Sequence, residues 1–596
     1  MSNGMSGLYV GTSGLSAAQA ALNTTANNLA NINTKGYTRQ QITYSASTYY
    51  SIGSNATTKL VCGTGVDVSE IRRVRDELVD KAYRQEKGRL GYYDSQYDAV
   101  TEVESLFGEL DDNSFQSTMT DLLTSINEVS KNPTSTIARS SLLQSATTFI
   151  DKATSIHSSL KDYQTTLNTK IDNMVNKINS LGKTICDLNK KILDVECIGQ
   201  KANDLRDQRD NALDELSGYI KIQYKEDNDG TITVAAEGTT FVSKYSVFPM
   251  ATEKIDGTDL LKPVWPSLEN RDVFVDAEKI TALDNNDIGE LKGLLISRGN
   301  KAADYSDIPV EPIKPDASGY DMTDPAQVIA YQAVKDKYDL DYTQYEADSE
   351  YYNKYIDPSV ILSTMASLDK LVNGVVTAIN DILCPEKTAS FTAADGTAYT
   401  DVKILDMDKT SYGNDTDKSV GVELFSRNNT DRYLKVVGDD GITYYVRNDK
   451  NKLGLDSEYT LGNIKMNETA TQNKATIPLT NAKGEEDFEK GKALVEAWNV
   501  KFASLNPSTF SKETFNGFYN SLITEIADTG KVLNNMVANQ TTMADGYDGQ
   551  RLQTEGVSSD EELQNMIKFQ QAYNAASRYV NVVSEMLDHI ITRLGS

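Results

Sequence analysis

Histidine is nearly absent from this 596-residue chain: there are two, His157 and His589, and the four cysteines, Cys62, Cys186, Cys197 and Cys384, show no CxxC spacing. A zinc centre draws its ligands from those residue types, so no metal is expected. Cys186 and Cys197 fall eleven positions apart in a helical region. That puts them on one face but about 16 Å apart along the axis, too far for a disulfide within one helix, and they read as small apolar fillers. A catalytic triad lacks its base as well. His157 sits among helical heptads and His589 near the end of the last apolar seam, so no catalytic residue is assigned. Basic charge is also short: 59 Lys and Arg against 86 Asp and Glu leave a net charge of -27. Neither nucleic acid nor an anionic membrane is an expected partner of such a surface. No run of about 18 apolar residues is present, and the amino terminus has neither a basic segment nor a continuous apolar core; neither a membrane-inserted span nor a Sec signal peptide is expected.

Three local patterns resemble chemistry and fail on inspection. "KEDNDG" at 225–230 starts with Lys225 where a calcium loop needs a carboxylate, and its twelfth position is Ala236. It reads as a hairpin turn. "CGTGVDV" at 62–68 lacks the third glycine and the strand-then-helix setting that cradle phosphate, so it reads as a turn and no cofactor is expected. The run "NDLRDQRD" at 203–210 mixes charges three and four apart, the pattern of a solvated, self-paired helix face. Any two of the 86 carboxylates could in principle serve hydrolysis, but no local signature singles out a pair.

What is present is helical periodicity at both ends. Leu8, Gly11, Leu15, Ala18, Leu22, Thr25, Leu29 and Ile32 alternate in steps of three and four, and Gly36 suits a left-handed cap. Met566, Phe569, Tyr573, Ala576, Val580, Val583, Leu587, Ile590 and Leu594 repeat the spacing, after a helix start at "SSDEE" with acids in its first turn. Between them, a seam from Leu160 to Val195 and a helical stretch from about 76 to 110 predict a rod-like bundle. The period changes to two around "NDG" at 228–230 and again in "DRYLKVVGDDGITYYVRND", predicting two β-rich regions.

The fold class expected is therefore mainly α with inserted β domains, with amino- and carboxy-terminal helices paired as a coiled coil. We expect a terminal unit of residues 1–45 with 546–596, and a bundle of 46–220 with 288–384 and 485–545, carrying a Tyr-rich insertion near 305–355. The β-rich regions are 221–287 and 385–484.

Residues 1–34 carry no charge, and Asn23, Asn27, Asn28, Asn31 and Asn33 crowd the end of the first helix. Each asparagine lowers helix propensity by about 0.6 kcal/mol relative to Ala. Amides donate and accept hydrogen bonds without burying an ion, so such a helix suits a crowded wall and is expected to order on assembly.

The stretch "GTSGLSAAQAALNTTANNLANINTKGYTRQ" resembles the amino-terminal signature of the bacterial flagellar rod, hook and hook-associated axial proteins, and "GVSSDEELQNMIKFQQAYNAASRYVNVVSEML" resembles their carboxyl end. "ANDLRDQRDNALDEL" in the interior is similar to the hook-associated members, and Glu555 departs from the serine expected there. The resemblance implies a non-enzymatic structural subunit, secreted through the flagellar type III export apparatus with an export chaperone. It would form a homo-oligomeric ring at the hook–filament junction, between the hook protein and a second hook-associated protein with the filament. The expected assembly interface comprises Leu8, Leu15, Leu22, Asn27, Asn28, Leu29, Asn31, Ile32, Asn33, Gly36, Tyr37, Phe569, Tyr573, Val580, Val583, Leu587, Ile590 and Leu594. The alternatives are a hook or distal-rod subunit, or a secreted cell-wall hydrolase or adhesin with a flagellar-type anchor.

Overall fold

The structure is a computed structural model describing residues 2–55, 58–108, 114–274, 280–428, 430–449, 459–509 and 511–594. Helix α1 (Ser2–Ala30) leads into strands β1 (Gln40–Ala46), β2 (Tyr49–Asn55), β3 (Thr58–Gly63) and β4 (Val66–Arg73). Then come α2 (Glu77–Phe107), α3 (Phe115–Lys131), the 61-residue α4 (Thr136–Glu196) and α5 (Asn203–Tyr219). A first β unit holds β5 (Ile222–Glu226), β6 (Ile232–Ala236), β7 (Thr239–Val242), β8 (Ala251–Lys254), β9 (Leu261–Trp265) and β10 (Arg271–Asp272). After α6 (Glu290–Arg298), α7 (Pro325–Tyr351) and α8 (Val360–Leu383), a second β unit holds β11 (Glu386–Thr392), β12 (Ala398–Leu405), β13 (Phe425–Arg427), β14 (Tyr433–Val437), β15 (Thr443–Arg447) and β16 (Ile464–Met466). The chain closes with α9 (Glu468–Gln472), α10 (Phe488–Trp498), α11 (Phe515–Glu555) and α12 (Ser559–Leu594).

The body is built around α8, which α2, α4, α6, α10 and α11 surround. Among the described residues α8 alone is long and apolar enough to cross a bilayer. Its enclosure explains that composition: Leu362, Met365, Leu368, Leu371, Val372 and Val375 are wholly buried core. Along α4 the predicted seam is buried at Leu160, Leu167, Ile171, Ile178, Leu181, Ile185, Leu188 and Ile192. Cys186 joins that core, but Cys197 is exposed just past the helix end, so it is not a filler.

Both Asp-Gly hairpins form. β5 pairs antiparallel with β6, Glu226 facing Ile232, and β14 pairs with β15, Val437 facing Thr443. Two elements were not foreseen. Residues 40–73 fold into a two-part antiparallel ribbon, β1 on β4 and β2 on β3. The 305–355 insertion contains α7, whose partly covered positions include Tyr331, Tyr338, Tyr342 and Tyr345. The phenols carry the helical spacing that aliphatic residues would otherwise announce.

Candidate functional site: the paired terminal helices and their collar

α1 and α12 pack antiparallel. A β-carbon added at Gly7 would meet Val583 at 3.6 Å, at Gly11 Val580 at 2.7 Å, and at Gly14 Ala576 at 3.8 Å. The ladder on α1 is thus Gly7, Gly11 and Gly14, continued by buried Ala18, Ala21, Thr25 and Asn28. Small residues let the backbones approach closely. The leucine stripe is offset from this ladder by one residue: Leu8, Leu15, Leu22 and Leu29 flank it half-buried, and Ile32 is exposed. On α12, Phe569, Tyr573, Val580 and Leu587 are half-buried and Val583 is buried, whereas Ile590 is exposed and the side chain of Leu594 lies outside the described residues. The expectation that order comes only from neighbours is corrected here, because α12 supplies α1 with a partner from the same chain.

The asparagines divide by task. Asn28, 1% exposed, donates Nδ2–H to the Gln40 carbonyl at 2.9 Å and accepts the Gln40 N–H at 3.0 Å, turning β1 back along α1. Tyr37 donates its hydroxyl to the same side chain at 2.9 Å. Asn31 bonds the Asn27 carbonyl and side chain at the helix end, while Asn27 also donates to the Tyr37 hydroxyl at 3.3 Å. Asn33 is exposed. α1 stops at Ala30, and Gly36 adopts φ +74° in the turn beyond, pressed against Asn211. Replacing Asn28 with Ala leaves two buried backbone groups unpaired. A loss of about 2–3 kcal/mol is expected, read as a lower urea midpoint.

The run "NDLRDQRD" is corrected: it is no solvated face. Asp207, Asp210 and Asp214 lie three and four apart on one side of α5 and meet arginines from elsewhere in the chain. Arg73 contacts Asp207 at 2.8 Å and Asp210 at 2.7 Å, and Arg75 contacts Asp210 at 2.9 Å. Arg84 contacts Asp214 at 2.6 Å and Arg551 contacts it at 2.8 Å. Arg206 and Arg209, each one position earlier than an aspartate, turn the other way to Glu196 and Glu226. Arg206 and Asp210 stand four apart and could pair along the helix, yet both take partners from outside it. The one sequence signal against self-pairing is that Arg209 has no acid three or four positions away. Thr38 N–H and Gln40 Nε2–H donate to Asp207 and Asp204, both at 3.0 Å, and Asn203 donates to the Ile71 carbonyl. α5 therefore forms a collar joining the ribbon, α2 and α11 to the body.

Glu555 completes this collar at the α11–α12 turn. Its carbonyl accepts from Arg39 N–H at 2.8 Å, and Arg39 bridges to Glu562 at 2.9 Å and Glu561 at 3.0 Å. Burial, and the charge of Asp80, raise its carboxyl to about 7 against the pull of Arg75 and Arg551. A carboxyl raised on folding contributes stability below its ordinary value of 4.5. That contribution is lost as pH rises towards 7. Glu555→Gln is expected to remove a fall of about 2–3 kcal/mol between about pH 5 and 8, measured by urea midpoints across that range. Some slope remains, because burial also raises Asp369 to about 7.

Three family descriptions match parts of the chain: "Flagella basal body rod protein" at 8–38, "Flagellar hook-associated protein FlgK helical domain" at 100–308, and "Flagellar basal body rod FlgEFG protein C-terminal" at 549–593. Flagellar hook-associated protein 1 of Bacillus subtilis is 26% identical, the alignment covering 100% of this chain and 99% of that one. The protein of the same name in Salmonella typhimurium is 24% identical over 97% and 98%. The solved flagellar hook junction protein of Burkholderia pseudomallei aligns with TM-score 0.48 at 13% identity, covering 80% of this chain and 100% of that one. Ends that match rod-type segments and close on each other around an inserted body define a flagellar axial protein. The full-length likeness is to flagellar hook-associated protein 1, whose helical-domain description also matches the interior of this chain.

Proposed function

We propose that this chain is the structural adaptor at the junction of flagellar hook and filament, built into a ring through its terminal helices. The observation that carries the proposal is the outer surface of the α1–α12 pair. With the small-residue seam turned inward, Leu563, Ile567, Val582, Met586 and Ile590 of α12 and Tyr9 of α1 stay exposed. Apolar side chains in that number along one helix pair are what copies of the chain would bury against each other. The half-buried leucines of α1 extend the same surface. In this reading the hook protein lies on one side of the ring, and the second hook-associated protein and the filament on the other. The chain reaches that place through the type III export apparatus, handed over by an export chaperone. No covalent chemistry enters the mechanism. Electron microscopy of a deletion strain tests it: hooks without filaments are expected, with filament subunits shed into the medium. Motile, filament-bearing deletion cells would overturn the proposal.

A further inference from the structure

Within α11 the stretch 532–544, "VLNNMVANQTTMA", holds no charged residue and is bounded by Lys531 and Asp545. Leu533 and Ala544 are buried, and α11 lies along α2. Most of the rest is exposed. Val532, Met536, Asn539 and Met543 follow one another in steps of four, three and four, which puts them on one face of the helix, and all four are exposed. Thr541 and Thr542 are exposed too, but their hydroxyls donate to the carbonyls of Val537 and Ala538 at 2.8 and 2.9 Å, so each turns a methyl group outward.

A helix surface that meets water looks different in this chain. α7 buries no residue, and it carries Asp336, Asp339, Asp341, Glu346, Asp348 and Glu350. Charges hold such a surface in solvent. The 532–544 face lacks them, and its amides and thioethers can be covered without stripping water from an ion. Methionine adds a flexible side chain that fits an irregular opposing surface. Residues 1–34, in the terminal pair, have the same uncharged, Asn- and Thr-bearing character.

We infer that the 532–544 face of α11 is a contact between neighbouring copies of this chain. The inference rests on the ring reading above and adds to it a second contact, in the body rather than in the terminal pair. Two observations select a second copy as the occupant. Each chain carries a net charge of -27, so copies side by side repel wherever their acidic surfaces meet, and a contact between them is favoured on a face without acids. α11 also leads through Gly556 into α12, and Arg39 ties that joint by bridging to Glu561 and Glu562. A neighbour held by the terminal pair is therefore held close to α11 as well, and two contacts on one joined unit reinforce each other.

Photocrosslinking in assembled flagella tests the inference. Benzoylphenylalanine is placed at position 536 of the full-length chain in a deletion strain, and separately at position 567, on the outer stripe of α12. Position 536 is expected to give a covalent dimer of this chain, identified by mass spectrometry of the joined peptides. A cross-link from 536 to a different protein, or none at all, would overturn the inference. Position 567 tells two failures apart: if it still yields the dimer, the ring reading stands and the α11 contact alone falls, and if it does not, both fall. A second measurement uses charge. Met536→Glu with Asn539→Asp puts two acids on this face. The purified chain is expected to keep its urea midpoint, because both sites are exposed, while the cells lose their filaments. Filaments in normal number on cells carrying both substitutions would also overturn the inference.

Discussion

Asp210→Ala is expected to lower stability by about 3–5 kcal/mol, the largest single-residue effect in the collar. Asp210 is one carboxylate shared by three arginines, Arg73, Arg75 and Arg84. Despite burial, those three charges hold it far below the usual carboxylate range. Removing it leaves buried guanidinium charge only partly compensated by Asp207, Asp80 and Asp214. Asp210→Asn keeps acceptor oxygen but not charge, so its loss should be intermediate. Glu226→Ala is the contrast: that side chain is 41% exposed, and its bonds to Arg206 and Arg209 compete with water. A loss of about 1–3 kcal/mol is expected there, smaller than at Asp210 although Arg209 is itself wholly buried. Urea unfolding of the three variants at neutral pH measures the order. The pH dependence runs opposite to that of Glu555. A depressed carboxyl contributes stability above its ordinary value of 3.8, and the contribution is lost on acidification. Asp210→Asn should therefore show a shallower loss between about pH 5 and 3 than the parent. A parent-like midpoint in Asp210→Ala would mean that the collar does not hold the ribbon and α11 to the body.

The parts of this molecule that were legible in advance are those where burial selects aliphatic side chains at a fixed period. The α4 seam, α8 and the two Asp-Gly hairpins announce themselves because one face of each is core. The α12 seam is legible for the same reason up to Leu587. α1 is harder. Its contact face is glycine, alanine and threonine, residues that carry little hydrophobic signal, so the eye is drawn to leucines one residue away that flank the contact. The ribbon at 40–73 escaped because much of it is solvent-facing, with Tyr44, Tyr49, Val61 and Val68 exposed. The α5 collar is hidden from the sequence for a different reason. Helix-local charge pairing assumes no better partner elsewhere, and Arg73, Arg75, Arg84 and Arg551 arrive from segments up to hundreds of residues away. Glu555, visible only as a departure from an expected serine, takes its meaning from Asp80 and Arg75, which no sequence spacing connects to it.

Gly11→Leu should separate the terminal helices. Even the first added carbon would lie 2.7 Å from Cγ2 of Val580 and 3.0 Å from Cδ1 of Tyr579. Val580 is β-branched and cannot swing clear cheaply. Overpacking of this kind costs about 1–3 kcal/mol, and α12 has little other anchorage in the chain. Val583→Asp attacks the same contact by placing a carboxylate at a position 9% exposed, against a helix α1 whose sequence carries no charged side chain. Both variants should lose helical protection in hydrogen exchange at 2–30 and 559–594 while the α8 core stays protected, and neither should restore swimming to a deletion strain. The outer stripe predicts the opposite combination. Ile567→Ser and Met586→Ser change residues 57% and 61% exposed, so the single chain should keep its exchange pattern while filament growth fails. If the outer variants swim normally while the seam variants do not, the pair is a folding unit whose surface makes no subunit contact. If the seam variants swim, close approach of α1 and α12 is dispensable to assembly.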